Sequence, residues 1–154
     1  MSPTFSELEA RRSLNLRQLL TRSTRAVNER IVAALRARGF PEARVAHAAV
    51  LANLELRGST VTEIASRALL PKQAISKMAL ELEEFGYLER SRHESDGRAI
   101  VVRFTRKGRK LMAATFDVIA GIEHAARARL GPRRYSALRS SLFVLLEHDT
   151  EPDA

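Results

Sequence analysis

Apolar residues recur at helical spacing in the first part of this chain, alternate with polar ones in the middle, and return to helical spacing at the end. Residues 6–38 carry Leu16, Leu19, Leu20, Val27, Ile31, Ala34 and Leu35 on one helical face. Ser6 and Glu9 fit a Ser-x-x-Glu capping box, and Arg38-Gly39 closes the helix, because glycine readily takes the left-handed position after a helix end.

Residues 40–105 mix helix and strand. Pro41 is placed to open a helix bearing Val45, Ala48, Ala49, Ala52 and Leu56, with Gly58 ending it. Thr60-Val61-Thr62-Glu63 is a second capping box, followed by a short helix with Ile64, Ala65 and Ala68 inward. Leu69-Leu70-Pro71 makes a turn, and Pro71 suits the first position of a helix that stops at Gly86. Ile75, Met78, Ala79 and Leu82 give that helix its apolar face. The period then changes to two. Residues 87–93 read as a strand with Leu88 opposite Tyr87 and Glu89, and 100–104 as a second with Ile100, Val102 and Phe104 together. Asp96-Gly97 between them is a hairpin turn signal.

Residues 106–148 are helical again. Leu111, Thr115, Val118, Ile119, Ile122 and Ala126 form one stripe, Leu130-Gly131-Pro132 interrupts it, and Tyr135, Leu138, Leu142 and Leu145 form another. The fold class is therefore mainly α with a small β-hairpin. A short helix, a tight turn, a second helix and a hairpin in that order make a winged helix-turn-helix, here flanked by N- and C-terminal helices.

Composition narrows the chemistry. Lys and Arg number 26 against 18 Asp and Glu, a net charge of +8, which favours a polyanionic partner. There are no cysteines, which removes disulfides, thiolate metal sites and a cysteine redox switch together. No apolar run is long enough to cross a bilayer, and Met1–Glu7 lacks the pattern of a signal peptide, so the expected compartment is the cytoplasm with no membrane partner. His47, His93, His124 and His148 are scattered without metal-ligand spacing, so no metal and no cofactor are expected. His47 itself reads as a structural histidine before a pocket residue.

The second helix of such a motif lies in the major groove and presents the outer face of its first turns to base edges. That face here carries Lys72, Gln73, Ser76 and Lys77, which are phosphate and base-edge donors, and glutamine can pair bidentately with adenine. Lysine at a helix N-terminus opposes the helix dipole, and this helix puts Lys72 and Lys77 early and Glu81, Glu83 and Glu84 late. An anion facing the N-terminal end justifies that order. At the hairpin, Arg90, Arg92 and His93 precede the turn, and Arg98 and Arg103 follow it. Alternation puts Arg90 and Arg92 on the side of Leu88. Arg98, at the tip, is free to enter a minor groove, with Asp96 placed to orient its guanidinium. Arg11, Arg12, Arg17, Arg22 and Arg25 make the first helix basic, and the reading preferred for them is snorkelling over a dimer surface. Arg133-Arg134 opens the last helix against its dipole, with no account offered by the sequence.

These segments resemble the MarR family of bacterial regulators. The resemblance rests on Val61-Thr-Glu-Ile-Ala, Leu70-Pro-Lys-Gln-Ala-Ile-Ser-Lys, Leu82-Glu-Glu-Phe-Gly-Tyr-Leu-Glu-Arg, Ser95-Asp-Gly-Arg-Ala and Val102-Arg-Phe-Thr-Arg-Lys-Gly, covering residues 41–111. It implies a homodimer held by its N- and C-terminal helices. It implies binding of double-stranded DNA at a pseudo-palindromic operator, with contacts from Lys72, Gln73, Ser76 and Lys77, and a wing arginine at Arg98 paired with Asp96. It also implies support from Thr62 and Arg67, and a small-molecule effector of aromatic or phenolic type that releases DNA. Two features depart from the family: Leu69 stands where the turn often has glycine, and with no Trp and two Tyr an aromatic-lined pocket is not evident.

The domain reading is 6–38 as an N-terminal dimerisation helix, 40–105 as the winged helix-turn-helix and 106–148 as C-terminal dimerisation helices. The alternative function is a winged-helix protein-interaction module that does not read DNA. It predicts a depleted basic face, whereas this one is enriched. An enzyme is not expected, for there is no glycine-rich phosphate loop, no paired carboxylates in an apolar setting and no nucleophile motif.

Overall fold

A computed structural model describes residues 3–92 and 100–147, with side chains omitted at 10–14, 92 and 147. The N-terminal zone is two helices, not one. Helix α1 spans Phe5–Leu14 and α2 spans Leu16–Ala37. Asn15 adopts an extended backbone between them, and its side chain accepts the Gln18 N–H at 2.9 Å, so it caps α2 and ends α1. The first capping box is Thr4 with Glu7, two residues ahead of the expected Ser6–Glu9 pair, because Thr4-x-x-Glu7 satisfies the same reciprocal bonds nearer the terminus. Helix α2 closes at Arg38-Gly39 as expected, with the Phe40 N–H returning to the Leu35 carbonyl at 3.1 Å.

The helix expected after Pro41 is reduced to a 3-10 turn, Val45–His47, and one turn of helix, α3, Ala48–Leu51. The Asn53 side-chain amide takes the Ala49 carbonyl at 2.9 Å, a local bond that competes with helix propagation. The inward residues accordingly are Val50 and Leu54, while Leu56 is 74% exposed.

A two-residue strand, β1 (Ser59–Thr60), precedes α4 (Val61–Ala68) and α5 (Lys72–Glu84); β2 (Leu88–Arg92) and β3 (Ile100–Phe104) follow. The sheet is antiparallel in the order β1-β3-β2, with Ser59 opposite Val102 and Leu88 opposite Phe104. The wing is thus a three-stranded sheet where the sequence showed two strands. Leu88, Val102 and Phe104 face a core shared with Ile64, Ile75, Ala79, Leu82, Leu35 and Val50, while Ile100 at the far end of β3 is exposed. Tyr87 and Val101, which alternation placed outward, are buried as well.

Helix α5 ends in a Schellman motif. Gly86 has φ +74°, its N–H bonds the Glu83 carbonyl at 2.8 Å, and the Tyr87 N–H bonds the Leu82 carbonyl at 2.9 Å. Tyr87 is fully buried, and its carbonyl is the point on which helix α6, Arg106–Leu130, is seated. The Thr105 N–H donates to that carbonyl at 3.1 Å. Its hydroxyl donates to the Gly86 carbonyl at 2.6 Å and accepts the Gly108 N–H at 3.0 Å, which caps the new helix. Gly108 comes so close that a Cβ there would lie 1.9 Å from the Tyr87 oxygen. Thr105 and Gly108 of the segment Val102-Arg-Phe-Thr-Arg-Lys-Gly, on which the family resemblance rests, make this joint.

The described chain forms two compact units, residues 1–116 and 117–154, and α6 starts in one and ends in the other. In the second unit, α7 (Pro132–Glu147) leaves Leu138, Phe143, Val144, Leu145 and Leu146 exposed.

A Gly108→Ala substitution places a methyl group against backbone that cannot yield. We expect a loss of about 3 kcal/mol or more, read as a lowered urea midpoint with an unchanged slope.

Candidate nucleic-acid interface

Helices α4 and α5 meet across the turn at Leu69-Leu70-Pro71. Helix α4 is opened by the Thr60–Glu63 capping box, with Thr60 Oγ1 accepting the Glu63 N–H at 3.2 Å and the Glu63 carboxylate accepting the Thr60 N–H at 2.6 Å. Ile64 and Ala65 are buried, so Thr62 on the opposite side faces outward. Leu69 ends α4 in the left-handed conformation at φ +52°, and among the described residues it is the one non-glycine with positive φ. Its side chain is 90% exposed, so no packing offsets that backbone cost. The departure from glycine noted in the sequence therefore does not reshape the turn; leucine adopts the backbone glycine would have.

Pro71 is the N-cap of α5, one position earlier than expected, and supplies no side-chain cap. The first turn contains no acid. Lys72, Gln73 and Lys77 are exposed and Ser76 is half-buried, while Ile75, Ala79 and Leu82 fill the core behind them. Positions 72, 73, 76 and 77 share one helix face over about 7.5 Å of axis. That face gathers four donor side chains and the positive end of the dipole, with no acid in the first turn to neutralise them.

Two of the late glutamates, Glu81 and Glu83, by contrast, have cations. Glu81 Oε2 lies 3.1 Å from Arg44 Nη1 and 3.3 Å from His47 Nε2, and Glu83 Oε2 accepts from Arg90 Nε at 2.6 Å. Arg90 therefore lies on the inner side of β2, as alternation required, and ties the wing to the rear of α5. Arg44 also covers the Phe85 ring at 5.6 Å. Sequence reasoning missed this cluster because its partners are 34 and 37 residues apart and nothing local marks them.

Arg67 is exposed, yet its guanidinium is engaged by the protein itself. Nη1 donates to the Asn53 carbonyl and to Ser59 Oγ, each at 3.0 Å, and Nη2 to Glu55. It joins α4 to the loop before β1, whose first residue, Ser59, is buried. A second brace runs beneath the wing. The Tyr87 hydroxyl donates to Glu42 at 2.6 Å, and the Lys107 ammonium lies 4.3 Å over the Tyr87 ring while donating to the Phe85 carbonyl at 2.8 Å. Burial, and then the Glu42 carboxylate, push the phenol well above its ordinary range, and the phenolic hydrogen bond lowers Glu42. On the outer face of the sheet, Arg103 donates to Ser91 Oγ at 2.7 Å. Arg92 ends β2, with its side chain outside the description, and Asp96 and Arg98 at the wing tip lie outside the described residues.

Of the residues singled out in the sequence, the structure brings Lys72, Gln73, Ser76 and Lys77 onto one surface, sets Thr62 outward on the preceding helix, and engages Arg67 internally. The family model described as MarR family matches residues 44–99, the segment that builds this surface. Over that segment the chain is similar to the MarR family. Over 152 residues, 96% of this chain and 92% of the relative, it is 28% identical to an uncharacterized HTH-type transcriptional regulator, YkoM, of Bacillus subtilis (strain 168). Among solved structures it resembles the transcriptional repressor CouR bound to a 23-mer DNA duplex, at 25% identity and TM-score 0.67, covering 95% of this chain and 99% of that one. It also resembles CouR from Rhodococcus jostii RHA1 bound to p-coumaroyl-CoA, at 24% identity and TM-score 0.69, covering 92% and 96%. Among the described residues no helix is long and apolar enough to cross a membrane.

Replacing Leu69 by glycine removes the left-handed strain and adds unfolded-chain entropy. The net expectation is a gain of roughly 0.5–1 kcal/mol, seen as a higher thermal midpoint; a lower midpoint shows that the exposed side chain has a contact of its own.

Proposed function

We propose that this chain is a MarR-family transcription regulator that works as a homodimer on a pseudo-palindromic operator in double-stranded DNA. It represses a nearby operon until a small aromatic or phenolic ligand releases it. The observation that carries the reading is the acid-free, side-chain-uncapped start of α5, with Lys72, Gln73 and Lys77 outward and every buried residue on the other face. Phosphates facing that end satisfy both the lysines and the dipole, and Gln73 is positioned to read a base edge. Ser76 adds a shorter donor, Thr62 reaches a flanking phosphate, and Arg67 acts by bracing α4. Asp96 and Arg98, with Arg92 behind them, supply a minor-groove contact from the wing. The DNA-bound structure of CouR is the same fold on a duplex.

Two further features support the finer parts. Phe143 and Leu146 in α7 are 57% and 66% exposed, and Leu16 and Leu19 in α2 lie open as well, apolar surface of the kind that a second copy covers. An open groove lined by Leu20, Thr21, Thr24, Arg25, Asn28 and Val45 offers apolar walls with one cation, suited to a weak organic acid.

The test is fluorescence anisotropy with the chain's own upstream DNA and with scrambled DNA of equal length, across a salt series. Tight binding to the upstream fragment, about 10³-fold or more over scrambled DNA, with a steep loss in salt, supports the reading. No binding at low salt overturns it. Gln73→Ala is expected to relax base preference at one position per half-site, with half-sites about 10 base pairs apart, and Arg98→Ala to weaken binding. An unchanged selection profile for Gln73→Ala removes the base-reading role from that residue. Phe143→Glu is expected to shift the protein to monomer in sedimentation, with loss of operator affinity.

A further inference from the structure

His47 is the most enclosed ionisable group among the described residues outside the wing, with 1% of its surface exposed. It lies in the 3-10 turn ahead of α3, and its Nε2 is 3.3 Å from Glu81 Oε2 near the C-terminal end of α5. A carboxylate can only accept, so Nε2 carries the proton and donates. The second ring nitrogen, Nδ1, is buried without a hydrogen-bond partner among the described residues. In the neutral ring that nitrogen is a bare lone pair, which apolar surroundings tolerate at modest cost. Protonation turns it into a buried N–H and a positive charge with no acceptor to meet them.

The surroundings can be enumerated. Helix α5 presents Glu81, already shared with Arg44 and partly open to solvent, and the uncharged Phe85 ring 6.1 Å from the imidazole. The segment before the turn presents Arg44, a second cation that disfavours imidazolium. Helix α3 has no ionisable side chain. The charged groups that act on the ring are Glu81 and Arg44. One carboxylate thus stands against burial and a neighbouring guanidinium.

We propose that His47 is a proton-sensitive anchor for α5: neutral, it fastens the rear of the helix through Glu81, and protonation expels it and loosens the helix. The consequence for operator binding rests on the reading given above; the anchoring itself does not. Burial, the largest influence, holds the imidazole below the ordinary histidine range, against the opposing pull of Glu81. The sign follows from linkage. The unfolded chain takes up a proton near pH 6.5 that the folded chain refuses. Stability is therefore intact above that pH and falls as pH drops below it, until the folded-state value is reached, by about tenfold in folding constant per unit of difference.

The first experiment follows the four histidines of the full chain by proton–nitrogen NMR from pH 8 to 4.5. The expected result is an Nε2–H tautomer for His47 and a midpoint below that of exposed His124; a midpoint equal to or above His124, or an Nδ1–H tautomer, overturns the proposal. Amide exchange of α5 and the thermal midpoint are measured over the same range for wild type and His47→Gln, whose amide can still donate to Glu81. Wild type is expected to lose more α5 protection than the variant between pH 7 and 5; equal losses overturn the proposal. Anisotropy with operator DNA at both pH values is read separately. A chain that binds no DNA at any pH yet shows the differential exchange upholds the anchor and removes the proposed function alone.

Discussion

The winged helix is organised by one close approach, the start of α6 against the carbonyl of Tyr87. At that oxygen the C-terminal cap of α5, the first residues of β2 and the N-terminal cap of α6 converge, and only hydrogen fits at position 108 between the backbones. The hydroxyl of Thr105 bridges the last carbonyls of one helical cap and the first amide of the next, so few polar groups at the joint need water. Below it Glu42 holds the Tyr87 hydroxyl and Lys107 covers the ring face, with its ammonium 3.9 Å from the Glu42 carboxylate. Such a knot sets the angle between α5 and the wing by covalent geometry and hydrogen bonds, where hydrophobic packing alone would leave it adjustable.

Around this joint, charge is distributed with a clear division. The rear of α5 is neutralised side chain by side chain, with Glu81 to Arg44 and His47, and Glu83 to Arg90. The front is left bare. An acidic C-terminal half is unfavourable for an isolated helix, and here each of these two acids gains a partner from another element, so the electrostatic penalty is exchanged for attachment.

Much of this was legible in advance. The two helices of the motif, the Thr60–Glu63 cap, the strands of the wing and the Thr105-x-x-Gly108 signal all depend on residues within a few positions of one another, where spacing is direct information. What escaped was of two kinds. Strand β1 is two residues long, too short for any period to show, and the breaks at Asn15 and Asn53 come from single side chains that bond their own backbone in competition with the helix. The second kind is tertiary. Arg67, to which the family resemblance gave a supporting role, is held by Asn53, Glu55 and Ser59, and His47, read as a structural histidine, has a ring nitrogen without a hydrogen-bond partner among the described residues. No local pattern encodes either.

The way α5 is fastened has an evolutionary consequence. Its rear half carries the packing, the ion pairs and the cap, while the exposed residues of its first two turns are bonded to nothing that the fold requires. On the proposed function, exchanging those side chains alters what the helix recognises with little effect on whether it folds. A gene duplicate of this chain can therefore drift through new target sequences by single substitutions, each intermediate remaining a stable protein.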